Sequence, residues 1–266
     1  MKIAITGKGG VGKTTIAAGF CYAFAEKGYK VVAIDADPDA NLASALGFPK
    51  AMKLTPLSEM KELIEERTGA KTGEMGGFFK LNPEVDDLPE KLWVEHNGIK
   101  LMLMGTIKRG GGGCVCAESV LLKSLLQHLI LFRKEVVIID MEAGIEHLGR
   151  ATAQAVNHCI VVIEPGMRSI ETAWRIKELT LDIGVKSVYA IGNKVRKTTD
   201  EDFLRKNLNS IKLLGTISFD EALVEADLYR RSVWDQGKRI VGEIRKMVDA
   251  ITEGQQSSHL IECGRK

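Results

Sequence analysis

Residues 7–15 read Gly7-Lys8-Gly9-Gly10-Val11-Gly12-Lys13-Thr14-Thr15. An apolar run, Ile3-Ala4-Ile5, precedes them, and Ile16, Phe20, Ala23 and Phe24 follow on one face of a helical pattern. Strand, glycine-rich turn and helix in that order are the context in which G-x-x-x-x-G-K-T cradles phosphate. Glycines let the backbone wrap an anion so that successive N–H groups point inward. A helix opening near Lys13 adds the positive end of its dipole. In this motif Lys13 reaches the outer phosphates and the Thr14 hydroxyl ligates Mg²⁺. The loop predicts nucleotide binding.

The apolar runs that follow extend the pattern. Val31-Val32-Ala33-Ile34 ends in Asp35-Ala36-Asp37-Pro38-Asp39, and Val136-Val137-Ile138-Ile139 ends in Asp140. Buried strands that meet acids at their C-terminal ends are the layout of an open parallel sheet with its ligand beyond the strand ends. Further strands are predicted at Ile99–Met104, His158–Ile163, Ser187–Ile191 and Ile211–Ile217. Helices are expected from Thr55-Pro56 to about 67, along the stripe Leu121, Leu125, Leu129 and Phe132, from Arg168 or Ser169 with Ile170, Trp174 and Leu181, and over about 220–229 and 232–252. The fold class is α/β, a single doubly wound, mostly parallel sheet flanked by helices. We expect one domain over 1–266, with a surface insertion at 69–90 and a frayed tail at 254–266.

Composition narrows the function classes. The 37 basic and 35 acidic residues of the 266 give no electrostatic case for nucleic acid or anionic lipid. No apolar run approaches the roughly 18–20 residues that span a bilayer, and Met1 leads straight into the first strand. Five cysteines are too few and too odd in number for a secreted disulfide framework. These features predict a cytoplasmic, reduced protein. Cys21 and Cys159 fall on core positions. Cys114 and Cys116 instead follow Gly110-Gly111-Gly112-Gly113 on a pliable loop. Two cysteines one residue apart supply two thiolates, where a closed structural metal site usually has four.

Lys8, directly after the first glycine, makes the loop resemble the deviant Walker A loop of the MinD/ParA/NifH ATPases. In that family a second lysine reaches across a dimer interface to the partner's nucleotide. The resemblance implies an ATP-dependent homodimer, with Lys8 and Lys13 catalytic at the phosphates. It also implies that Asp37 orients or deprotonates the attacking water, with Asp39 the weaker candidate, and that Asp140 is the Walker B acid at Mg²⁺. Gly144, in Met141-Glu142-Ala143-Gly144-Ile145-Glu146, corresponds to the glycine that senses the γ-phosphate. Asn193, in Gly192-Asn193-Lys194, corresponds to the asparagine that reads the adenine edge. ATP and Mg²⁺ would thus be held by residues 7–15 with Asp37, Asp140, Gly144, Asn193 and Lys194. Members often show proline after the last strand, where this chain has Ser218.

The order of these motifs, with C-x-C between the third strand and Walker B, resembles the CooC group of nickel-insertion ATPases and its relative AcsF. That likeness implies Ni²⁺ or Zn²⁺ held by Cys114 and Cys116 from both chains. The implied clients are apo carbon monoxide dehydrogenase or acetyl-CoA synthase. Thiolate chemistry alone fits Zn²⁺ or an iron–sulfur cluster equally well. An iron–sulfur carrier, a NifH-like electron donor and a MinD/ParA-like positioning ATPase are therefore the rival readings.

Overall fold

The computed structural model describes residues 1–49, 52, 54–70, 79–105, 117–142, 150–185, 187–229 and 231–263. Among them the chain alternates strand and helix much as the apolar runs predict. Strand β1 (Lys2–Gly7) leads through the glycine loop to α1 (Lys13–Glu26) and β2 (Val31–Ala36). There follow α2 (Leu42–Ala45), α3 (Lys61–Thr68), α4 (Leu88–Leu92), β3 (Val94–His96) and β4 (Ile99–Leu103). Helix α5 (Ala117–Phe132), β5 (Val136–Met141), α6 (Arg150–Gln154), β6 (His158–Ile163) and α7 (Met167–Asp182) come next. The chain closes with β7 (Ser187–Val195), α8 (Thr198–Asn207), β8 (Lys212–Ser218), α9 (Glu221–Leu228), α10 (Val233–Gln236) and α11 (Lys238–Cys263).

The strands form one eight-stranded sheet in the order β3-β4-β2-β5-β1-β6-β7-β8. Every neighbouring pair is parallel except β3 with β4. Period-two alternation divides the side chains between two cores. Ile3, Ile5, Val31, Ala33, Ile138, Ile160 and Val162 face α1 and α11. Ala4, Val32, Ile34, Val137, Ile139 and Val161 face the layer of α5 and α7. Both faces are covered, so the central strands carry continuous apolar runs rather than an apolar–polar alternation. Phe20 and Phe24 on α1 are fully buried, and Cys21 and Cys159 are core residues as expected.

Several expectations fail for physical reasons. No continuous helix starts at Thr55-Pro56: a 3₁₀ turn at Leu57–Glu59 comes first, and the α-helix begins at Lys61. Pro56 at ψ 140° and Met60 at ψ 69° leave the helical region, and the Ser58 N–H donates to the Met104 carbonyl (3.1 Å), just beyond β4. Val94–His96 is a strand that the apolar pattern did not signal, joined to β4 by Asn97-Gly98 with φ of 51° and 74°. That dipeptide is the turn chemistry of a tight hairpin. The 69–90 stretch, described from residue 79 onward in its second half, buries Val85 and Leu88, and Arg67 makes a fork of two bonds to Asp87 (2.9 and 2.7 Å). Phe132 and Leu181 are 70% and 56% exposed, because each sits in the last turn of its helix, beyond the sheet. Strand β7 runs on to Val195, and α11 continues past Gly254 to Cys263.

Phe24 makes aromatic contacts with Phe20 (6.4 Å) and Tyr29 (5.6 Å) at 0% exposure. Phe24→Ala should destabilise the chain by about 3–5 kcal/mol, measured by urea denaturation of the nucleotide-free protein.

Candidate functional site

The C-terminal ends of β1, β2, β5, β6 and β7 share one rim of the sheet, and residues 7–15, Asp37, Asp140, Asn193 and Lys194 lie along it. Gly7 closes β1, and α1 starts at Lys13 with Gly12 as its N-cap at φ 91°. A Cβ at Gly12 would lie 2.3 Å from Asn193 Nδ2, so the loop's approach to β7 admits only glycine. Lys8, Gly9 and Gly10 are exposed, whereas Val11 and Lys13 are buried. Lys13 Nζ stands 3.6 Å from Asp37 Oδ2, both side chains being largely covered. The loop lysine and the predicted water-activating aspartate thus already face each other.

Asp35 and Asp140 lie side by side in the β2–β5 register, both at 0% exposure. Burial, then the neighbouring Asp140, pushes the Asp35 carboxyl up to about 7 against bonds from the Leu42 and Asp37 N–H groups. Burial likewise pushes Asp140 up to about 6, opposed by the Thr14 hydroxyl and the Lys13 ammonium. Asp35 Oδ2 accepts from Leu42 N at 2.9 Å, and Oδ1 from Asp37 N at 3.3 Å. Asp35 therefore shapes the segment carrying Asp37. This role was missed in the sequence, although Asp35 is the first acid after an apolar strand. Asp39 N donates to Asp37 Oδ1 at 3.1 Å, and the Asp39 side chain is exposed.

Both Asp140 oxygens are buried and, apart from the approach of the Thr14 hydroxyl, have no hydrogen-bond partner among the described residues. Orphaned carboxylate oxygens beside a threonine hydroxyl fit a hard divalent cation, so the residues present suit Mg²⁺. Thr6 Oγ1 donates to the Glu142 carbonyl (2.7 Å), tying the end of β1 to the chain leaving β5. On the other flank, Asn193 Nδ2 donates to the Val11 carbonyl and Lys194 Nζ to the Gly10 carbonyl, each at 2.7 Å. Ser218 bonds Glu243 through Oγ at 2.9 Å and through N–H at 3.2 Å. Cys114, Cys116 and Gly144 lie outside the described residues. Among the described residues, no group of three or more His, Cys, Asp and Glu could hold a metal ion. Nor does any helix there have the length and apolarity to cross a membrane.

Residues 2–233 match the model of the CobQ/CobB/MinD/ParA nucleotide binding domain. The chain belongs to this family. It is 48% identical over 255 residues to the carbon monoxide dehydrogenase accessory protein CooC of Rhodospirillum rubrum, covering 95% of this chain and 97% of that one. It is 46% identical to an uncharacterized ATP-binding protein of Methanocaldococcus jannaschii, covering 94% and 97%. These likenesses make it a CooC-like member of the family. MinD in the MinC:MinD complex of Aquifex aeolicus has the same fold, at TM-score 0.67, 20% identity and 95% coverage of each chain. So does MinD of Pyrococcus horikoshii complexed with Mg-ADP, at TM-score 0.64, 20% identity and 94% coverage of each. The α/β sheet expected from the apolar runs is the sheet of these proteins.

A carboxyl whose pKa is raised by folding weakens the fold above that pKa and leaves it unaffected below its unfolded value of about 4. Asp140→Asn should therefore stabilise the nucleotide-free protein by about 2 kcal/mol at pH 8 and by close to nothing at pH 4. Urea denaturation of both proteins at the two pH values checks this.

Proposed function

We propose that this chain is an ATP-hydrolysing homodimeric metallochaperone that carries Ni²⁺, with Zn²⁺ as the alternative ion. It would assist nickel insertion into carbon monoxide dehydrogenase or, as a second client, acetyl-CoA synthase. The observation that carries the reading is 48% identity along 95% of the chain to an accessory protein of carbon monoxide dehydrogenase. The rim geometry supports the ATPase half of it, since the loop, Lys13, Asp37 and Asp140 are assembled at one edge. We read the chain as one ATPase unit working in the cytoplasm.

In this reading the triphosphate lies along the N–H groups of residues 9–15. Thr14 and Asp140 would hold Mg²⁺, which neutralises charge on the outer phosphates. Lys13 turns from Asp37 to the phosphates, and the freed Asp37 carboxylate orients the attacking water or takes its proton. Lys8 is exposed on the loop and makes no side-chain ion pair among the described residues, which suits a residue that reaches a partner's phosphates. Added positive charge at the transferring phosphoryl group is worth on the order of 10³–10⁵ in rate where an arginine does this work. Gly144 would sense the γ-phosphate. ATP would clamp two chains together, and Cys114 and Cys116 from each would supply four thiolates for the cargo ion. Hydrolysis would then loosen the clamp and the metal site together.

Lys8→Ala should lower ATP turnover by about 10³-fold and abolish the doubling of mass on adding ATP, read by a phosphate-release assay and light scattering. A variant that retains both turnover and ATP-driven dimerisation contradicts the trans-lysine mechanism.

A further inference from the structure

Two successive residues at the end of β7 hold two successive carbonyls of the phosphate loop. Asn193 Nδ2 donates to the Val11 oxygen and Lys194 Nζ to the Gly10 oxygen, both at 2.7 Å. In a trans peptide the C=O and the following N–H point in opposite directions. Fixing the Gly10 carbonyl toward Lys194 therefore turns the Val11 N–H away from β7, where it makes a long bond (3.5 Å) to the Lys8 carbonyl that a phosphate oxygen would replace. Fixing the Val11 carbonyl toward Asn193 likewise turns the Gly12 N–H away from β7. An anion cradle needs its N–H groups on the inner side and its carbonyls outside.

The backbone around this pair is arranged for the contact. β7 and β8 lose register between Gly192 and Val195, which leaves Asn193 and Lys194 out of regular pairing with β8. Lys194 has φ 57°, a left-handed conformation uncommon for a residue with a side chain. Asn193 is 4% exposed. Lys194 is also ion-paired with Glu164, the residue that follows β6. The Glu164 backbone N–H is held in turn by Ser169 Oγ on α7 (3.0 Å). The ammonium is thus fixed from both sides, by a carboxylate and by the loop carbonyl.

We infer that Asn193 and Lys194, with Glu164 behind Lys194, are positioning residues that pre-orient the loop's N–H groups for a triphosphate. This rests on the nucleotide reading above and goes beyond it, since it gives the pair a role at the phosphate loop that does not depend on the base. The bond to Val11 takes one of the two Asn193 Nδ2 protons, so the second N–H and Oδ1 stay open to a base and the loop-holding role is additional to base reading. Holding the carbonyls before the ligand arrives removes an ordering cost from binding. The effect falls on affinity for the polyphosphate and is independent of the base.

Inorganic tripolyphosphate separates the two roles, because it has phosphates and no base. Dissociation constants for ATP and for tripolyphosphate, both with Mg²⁺, would be measured calorimetrically for the wild type, Asn193→Ala, Lys194→Met, Lys194→Arg and Glu164→Gln. Lys194→Met and Asn193→Ala should each weaken both ligands by a common factor of roughly tenfold, the loss expected for one buried or charge-assisted bond. Lys194→Arg should recover most of that loss and Glu164→Gln show a smaller one. The KM for ATP should rise with little change in kcat, as for lost ground-state binding. Thermal denaturation of each variant shows that it is folded. Weakened ATP with unchanged tripolyphosphate would overturn the inference in favour of base reading, and unchanged affinity for both would overturn it outright. A wild type that binds neither ligand would instead remove the nucleotide reading on which the inference stands.

Discussion

Like charge confined at one rim is the constraint around which this site is built. β2 and β5 run side by side as apolar runs through the middle of the sheet and bring Asp35 and Asp140 together out of water. Burial raises both carboxyls, so ionising them beside a polyphosphate needs compensating positive charge. Lys13 supplies part of it from inside the loop, where it faces Asp37. Thr14 and Asp140 would hold a divalent cation, which would supply the remainder. The same constraint gives Lys8 its sense in the proposed dimer, because a second cation arriving from a partner chain makes the charge balance depend on assembly.

Switch and scaffold are also joined through this rim. Asp35 bonds the N–H groups of both Asp37 and Leu42, so the segment that bears the proposed water-positioning acid is anchored at each end by one carboxylate. Beyond it, Tyr22 on α1 donates to the Leu46 carbonyl at 2.6 Å and stacks on Trp234 at 5.5 Å. The helix that follows the phosphate loop therefore also supports the segment facing it. Through these contacts α1 is packed against both α2 and α10.

Much of this was legible in the sequence because it is local. The phosphate loop carries its chemistry in nine consecutive residues, and the strands around it are unbroken apolar runs ending in acids. Non-local pairing was not legible. The contacts of Asn193 and Lys194 with Val11 and Gly10 span 182 and 184 positions, and no composition rule forecasts them. Asp35 read as one of several turn acids until its register with Asp140 placed it beneath the site. Thr55-Pro56 carried a sound helix-start signal, but Pro56 and Met60 take non-helical ψ values of 140° and 69°, so only a 3₁₀ turn forms between them. Asn97-Gly98 was a local hairpin signal that went unread, because Val94–His96 is too short to show alternation.

The nucleotide site and the cysteine pair are parts of one device only if metal and assembly respond to ATP together. The direct measurement is metal content with mass in solution, on protein given Ni²⁺ or Zn²⁺, with and without ATP. A variant carrying Cys114→Ser and Cys116→Ser together would be measured alongside. The account predicts one metal ion per two chains at dimer mass with ATP, lost in the double variant. Metal that is retained without those cysteines, or bound iron and sulfide in place of nickel or zinc, would contradict it.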